Sequence, residues 1–337
     1  MTIIAVICPG PPERTPSTYY RFGQYKDLWR DQGAELIFVP KQELKGNAKK
    51  ILEKADVIVN QKCLLPSHFF KTIRSLDKPL FFDLDDLIWH RAKKDYSFLT
   101  KLKIGRRLSV WTRGVDRVLC ANSFIASGIL ERTGIAPSVV PMSLDVSEWL
   151  PDADKNSRLA DRLVRVGWTG SPEYHWLLKK IEPAILMALD QCENLEFSIH
   201  SGVDPGLRFP YRFVAWEKGN EANYVKSLDI GLLPMDSSSQ FSLGKSPIKG
   251  LQYLSSSVVP LGNFCGASLD YLNSSNSMPV LDDSPHWADA IAVMAKDSQR
   301  RVALQSQGVE YLRRYHDHRI VGKNLLEMLL GCPAGST

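Results

Sequence analysis

Apolar runs of four to seven residues alternate with amphipathic stretches along almost the whole chain. In the first half the apolar runs are "IIAVIC", "ELIFVP", "DVIVN", "PLFFDL", "DRVLCA" and "SVVP". Between them the spacing predicts helices over 19–32 (closed by Gly33), 48–55, after Pro66, through a longer region after residue 90, and over 123–133. Strands that are apolar throughout and separated by helices belong to a parallel sheet covered on both faces. The expected architecture is therefore α/β and doubly wound, or Rossmann-like.

The rhythm breaks at "MSLDVSEWLPDADKNSRLADRL", Met142 to Leu163, a polar and proline-containing stretch that reads as a linker. It then restarts with "LVRVGW", a helix over 173–191, "LEFSIH", "RFVAW", a short helix, "DIGLLPM", a helix from Pro247, "SVVPLG", "MPVL" and helices to the end. Two tandem doubly wound domains with a cleft between them are expected. The expected bounds are 1–150 and 151–315, with 316–337 as a C-terminal helix. The halves share an architecture but no repeated sequence motif.

Composition narrows the class. At 337 residues the chain exceeds the usual single-domain size. With 44% hydrophobic and 23% charged residues it is an ordinary globular sequence. A net charge of +5 permits an anionic ligand or an acidic membrane surface and demands neither, and no nucleic-acid partner is expected. "MTIIAVICPG" reads as a first buried strand rather than a signal peptide, and no apolar run approaches membrane-spanning length. Cys8, Cys63, Cys120, Cys192, Cys265 and Cys332 form no Cys-x-x-Cys pair. A reducing, cytoplasmic setting is expected from them, and zinc or a disulfide framework is not.

Two segments carry the candidate chemistry. The first is "LFFDLDDLIWH", an apolar strand ending in Asp83, Asp85 and Asp86. It resembles the first motif of haloacid-dehalogenase-like phosphatases, with Asp83 as nucleophile and Asp85 as general acid/base. It also resembles the metal-binding Asp-x-Asp of single-domain glycosyltransferases, and carboxylates at a strand end often only cap the next helix. The phosphatase motif fits less well because Leu87 stands where it needs Thr or Val, and three β/α units precede Asp83. The single-domain transferase fails on the second doubly wound half.

The second segment is "DIGLLPMDSSSQFSLGKSPIKGLQYLSSSVVPLGN". Pro247 suits a first helical turn and Ser246 an N-cap, with Gly244 and Lys245 just outside. Backbone N–H groups, the helix dipole and an ammonium together would favour an anion such as a diphosphate. The bland alternative makes Lys245 a solvated lysine before an ordinary helix.

Taken as a whole, "DIGLLP", a polar loop, "GKSPIK" and a helix with a Leu-x-Tyr pattern resembles the donor-binding segment of family-4-like glycosyltransferases of the GT-B fold. "RVGWTGSPEYHWLLKKI", "RFVAWEKGNEANYVKSL", "VLCANSFIASGILERTG" and "PGPPERTPSTYYRFGQYKDLWRDQGAEL" match further segments in order, so the resemblance spans the chain. It implies donor contacts from Gly170, Ser171, Trp216, Gly244, Ser246, Pro247, Ile248 and Gln252. It gives catalytic roles to Lys245, Asp85 and Asp83, and an acceptor side comprising Gly10, Tyr19, Arg21 and Asp86. The family's paired helix glutamates are absent: Gln252 stands at one position and Gly244 at the other, and Trp168 occupies the place of a frequent arginine.

The resemblance implies a retaining transfer from a nucleotide-diphosphate sugar to a glycan or lipid-linked glycan acceptor, of the kind that builds surface polysaccharides. No metal and no cofactor are expected, because a lysine and a helix dipole would stabilise the leaving diphosphate. The alternatives are a catalytically silent nucleotide-sugar-binding protein, the Asp-nucleophile phosphatase and a nucleotide-sugar epimerase. "KLKIGRRLSVWTR", Lys101 to Arg113, reads either as a peripheral contact with the inner membrane face or as a plain amphipathic helix. "HDH", His316 to His318, reads as a turn between the last helices, and His175 as a solvent-facing histidine at a helix start.

Overall fold

A computed structural model describes residues 1–46, 48–91, 95–151 and 163–331. The linker stretch 152–162 and Cys332 lie outside the described residues. Packing divides the chain into two units. The first comprises Met1–Leu144, Ser238–Ser246 and the C-terminal segment from His316, and the second Asp145–Ser237 and Pro247–Tyr315.

The first unit holds a six-stranded parallel sheet in the order β2-β1-β3-β4-β5-β6. Its strands are β1 (Thr2–Cys8), β2 (Ala34–Pro40), β3 (Val57–Gln61), β4 (Leu80–Leu84), β5 (Arg117–Cys120) and β6 (Ser138–Val139). The inner strands β1, β3, β4 and β5 are buried along most of their length because helices cover both faces, which is why they read as apolar runs. Ile4, Val6, Val59 and Phe81 meet Tyr25, Trp29, Leu325 and Leu329 in one core. Each large side chain so buried contributes about 1.5–3 kcal/mol. The terminal helix His318–Leu330 is part of this core, and Trp29 Nε1 donates to Gly322 O at 2.9 Å. A side chain at Gly322 would meet the Tyr25 ring at 2.7 Å, so the helices touch through bare backbone.

The expected single helix over 19–32 is two helices, Pro16–Arg21 and Lys26–Asp31, joined by a short 3₁₀ turn. The break follows Arg21, whose side chain turns into the interior, and a side chain at Gly23 would strike Pro12 at 2.8 Å. The helix Ser123–Thr133 starts where Asn122 Oδ1 accepts from Ile125 N at 2.8 Å. It ends at Gly134 with φ +72°, an N-cap and left-handed C-cap pair.

In the second unit the sheet order is β12-β11-β10-β7-β8-β9. Its strands are β7 (Val164–Thr169), β8 (Leu195–Ser201), β9 (Arg212–Ala215), β10 (Ile230–Leu232), β11 (Val259–Gly262) and β12 (Met278–Pro279), all parallel. Val166, Phe197 and Ile230 pack against Ile181, Ile185, Trp287 and Ile291 from the helices His175–Gln191 and Ser284–Lys296. Strand order reverses between β7 and β10. In such sheets the crevice at the carboxyl ends of the strands beside the reversal is where ligands bind.

Candidate functional site

A pocket of about 260 Å³ opens at that crevice, wholly within the second unit. The end of β7 supplies Thr169, Gly170, Ser171 and Pro172, and the ends of β8 and β9 supply Gly202 and Trp216. Glu221 enters from the first turn of the helix Glu221–Lys226, and Lys249 from that of Ile248–Ser255. One aromatic plane, one carboxylate, one ammonium and a glycine turn thus share a small space. The Lys249 ammonium donates to the Thr169 carbonyl and lies 5.4 Å from the centre of the buried Trp168 ring. A carbonyl and an aromatic face hold the cation at the end of β7.

Two polar relays fix the walls. Asn220 Nδ2 donates to Ala215 O at 3.0 Å, so its Oδ1 must accept from His200 Nε2 at 2.9 Å. His200 Nδ1 then accepts from the Thr169 hydroxyl at 2.9 Å, and the ring stacks on Tyr224 at 4.6 Å. Asn220 Oδ1 also accepts from Glu217 N, which ties the turn carrying Trp216 to the sheet. On the other side the Ser201 hydroxyl donates to Gly170 O at 2.8 Å and so accepts from His175 Nε2 at 2.8 Å. His175, half-buried at the helix start, is therefore also a support of the glycine turn. Burial lowers both histidine pKa values, which keeps both relays in their neutral, tautomer-defined form at neutral pH. At Gly170 a Cβ would lie 2.3 Å from the Trp168 ring, so the turn needs glycine because of the tryptophan beside it.

Of the donor residues expected from sequence, Gly170, Ser171 and Trp216 share this pocket. Lys249 and Glu221 line it as well and are not among the expected residues, although Lys249 is the second lysine of "GKSPIK". Lys245, Gly244 and Ser246 belong by packing to the first unit. Lys245 is exposed, and Gly244 O and Ser246 Oγ accept from Asn122 Nδ2 at 3.1 and 2.9 Å. Ser246 is accordingly not the N-cap: Pro247 occupies that place, with no side-chain cap, and the helix begins at Ile248. A side chain at Gly244 would lie 2.3 Å from Leu87, which leaves no room there for a glutamate. Gln252 is buried within its helix.

The carboxylates of the first unit have separate parts. Asp83, at the end of β4, is fully buried and forms a forked ion pair with the buried Arg21. Arg21 Nε donates to both carboxylate oxygens (3.1 and 2.9 Å), Nη2 donates to Oδ1 at 2.6 Å, and Nη1 donates to Val140 O at 2.6 Å. This corrects two expectations: Asp83 is not presented as a nucleophile or catalytic group, and Arg21 does not face an acceptor. The pair instead locks the first helix to the centre of the sheet.

Asp85 and Asp86 share Lys62, a residue not anticipated from sequence, whose Nζ lies 3.0 and 2.6 Å from their carboxylates. Lys62 adopts φ +44° beyond the end of β3, anchored by its N–H on Asp83 O at 2.7 Å. Burial pulls its pKa down, but the two carboxylates overcome this and hold it above its ordinary value. Burial pushes Asp85 up to about 6; Lys62 opposes the rise, and Asp86 and Asp83 reinforce it. Asp85 Oδ1 is buried without a hydrogen-bond partner. Gly10 closes the turn after β1 against Thr15, and Tyr19 is partly exposed on the first helix.

Among the described residues no group of three His, Cys, Asp or Glu side chains is arranged to hold a metal ion, and no helix is long and apolar enough to cross a membrane. His316 Nδ1 donates to Met142 O at 3.0 Å in the turn between the helices Ser298–Tyr315 and His318–Leu330.

No family model matches the chain, and no curated protein matches its sequence. Solved structures do match its fold. The Anabaena protein Alr3699/HepE, in complex with UDP and glucose, superposes with a TM-score of 0.71 at 13% identity, covering 98% of this chain and 100% of the other. Sucrose-phosphate synthase from Thermosynechococcus elongatus gives 0.70 at 13%, covering 98% and 99%. A glycosyltransferase from Rickettsia africae ESF-5 gives 0.67 at 11%, covering 98% and 98%. The fold is that of the GT-B glycosyltransferases, α/β with two parallel six-stranded sheets.

Proposed function

We propose that the chain is a glycosyltransferase that takes a sugar from a nucleoside-diphosphate sugar bound in the second-unit pocket. The observation that carries this reading is the juxtaposition of Lys249, the Gly170 turn and Trp216 at the strand-order reversal. The ammonium and the turn suit a diphosphate, the indole plane suits a base, and the Glu221 carboxylate can accept from ribose hydroxyls. Support comes from the fold neighbours, one of which was solved with UDP and glucose. In this reading Lys249 stabilises negative charge as the leaving diphosphate departs, an electrostatic contribution that grows toward the transition state. Within the first unit, Asp85 and Asp86 with Lys62 form the acceptor-side polar group.

The finer features are extensions of the same proposal. They are transfer with retention, independence of metal and of any cofactor, a glycan or lipid-linked glycan acceptor, surface-polysaccharide biosynthesis as the setting, a cytoplasmic location, and family-4-like membership. A second reading, a silent nucleotide-sugar binder of the same fold, is favoured by the lack of both motif glutamates at Gly244 and Gln252. The Asp-nucleophile phosphatase is disfavoured because Arg21 occupies both oxygens of Asp83.

Calorimetry with UDP, GDP, dTDP, ADP and CDP tests the reading. One nucleotide should bind, and Lys249→Ala should weaken it about 10- to 150-fold, since a charge-assisted hydrogen bond contributes about 1.5–3 kcal/mol. Absence of binding to all five would overturn the donor pocket. Binding without product formation toward any acceptor would select the silent binder.

A further inference from the structure

The helix Phe98–Gly114 carries two different surfaces along its length. Its C-terminal half is built into the first unit: Leu108, Trp111 and Thr112 are buried, and Trp111 Nε1 donates to Leu65 O at 3.1 Å. Arg107 Nη1 donates to Leu64 O at 3.0 Å, and the Trp111 ring meets Phe70 edge-on at 5.1 Å. Its N-terminal half leaves large apolar side chains in the open, with Phe98 74%, Leu99 77% and Leu102 57% exposed. At about 3.6 residues per turn, Leu99, Leu102, Lys103, Arg106 and Arg113 fall on the side opposite the buried residues. The sequence of this helix, FLTKLKIGRRLSVWTRG, contains five basic residues and no acidic one. Lys101 pairs with Asp95 just ahead of the helix at 2.7 Å, and Lys103 and Arg106 stand exposed beside the apolar side chains, a combination poorly matched to water.

We propose that this face docks the protein on an anionic lipid bilayer, with Phe98, Leu99 and Leu102 entering the headgroup–acyl boundary and Lys103 and Arg106 facing lipid phosphates. The occupant follows from the pattern. A soluble protein partner of ordinary kind would meet a mixed-charge rim, whereas one sign of charge interleaved with apolar side chains matches the two layers of a membrane interface. The approach of the bilayer needs no refolding, because the C-terminal half of the helix is already anchored by Trp111 and Arg107. The electrostatic part should be screened by salt and the apolar part should not.

Sedimentation of the full-length protein with unilamellar vesicles tests the proposal, using phosphatidylcholine alone and a phosphatidylcholine–phosphatidylglycerol mixture. Wild type should partition to the anionic vesicles, more weakly as salt is raised, and little to the neutral ones. Lys103→Gln and Arg106→Gln should each lower partition about fivefold. The triple variant Phe98→Ser, Leu99→Ser, Leu102→Ser should lower it at least about tenfold. Because all five side chains are exposed, unchanged thermal unfolding will show that the variants are folded. Wild type that ignores anionic vesicles, or partition that survives both sets of changes, overturns the proposal. So does self-association abolished by the triple variant without vesicle binding, which would make the face an interface between copies. Nucleotide binding measured on the same samples is independent, so failure of vesicle binding and failure of the donor pocket are separately visible.

Discussion

Replacing Asp83 by Asn separates a structural carboxylate from a chemical one. Asp83 is fully buried, and its two oxygens accept three hydrogen-bond contacts from Arg21, which is itself buried. Asn keeps the shape but removes the negative charge, leaving a guanidinium in the interior with only the Val140 and Pro141 carbonyls and neutral partners. Breaking a buried pair from one side costs about 3–5 kcal/mol, because the surviving charge has lost both water and its counterion. In a domain of this size each kcal/mol corresponds to about 2–4 °C, so the first unit should melt about 6–20 °C lower. Differential scanning calorimetry is the suitable assay, since two units can unfold in separate transitions. The second-unit transition and nucleotide affinity should stay put. Arg21→Met combined with Asp83→Leu should recover much of the loss, because that variant leaves no charge uncompensated. If Asp83→Asn melts within a couple of degrees of wild type (about 2 °C, one kcal/mol or less on the same scale) while activity vanishes, Asp83 does chemistry and the structural assignment is wrong.

Two further outcomes follow from the site. Asp85 has a folded-state pKa raised to about 6 from an ordinary 3.8, so the folded protein binds more protons than the unfolded chain between those values. Stability should therefore fall as pH rises through that window. Asp85→Asn should flatten this slope in urea titrations between about pH 4 and 6, and an unchanged slope would show that Asp85 ionises normally. Gly170→Ala places a methyl 2.3 Å from the Trp168 ring and must move the ring or the turn. A cost of about 1–3 kcal/mol and a loss of nucleotide affinity are expected, and calorimetry showing wild-type affinity would remove the turn from the donor site.

The sequence by itself determined the strand and helix alternation, because a segment's apolar period depends only on neighbours within a few residues. The parallel strands β1 to β6 and β7 to β12, and the helix Ser123–Thr133, were legible for that reason, whereas the strand order was not. Through the family resemblance it also marked the Gly170 turn and Trp216, which line the second-unit pocket. What it left open was the partner of each polar group, which depends on strand adjacency. Arg21 and Asp83 are 62 residues apart and meet only because the first helix crosses the end of β4. Lys62 reaches Asp85 and Asp86 because β3 and β4 are neighbours. Lys245 and Lys249 stand four residues apart in one motif. Where the helix actually starts leaves the first among residues that pack with the first unit and places the second in the pocket. Local period is written in the chain, whereas which charge faces which exists only once distant segments are packed.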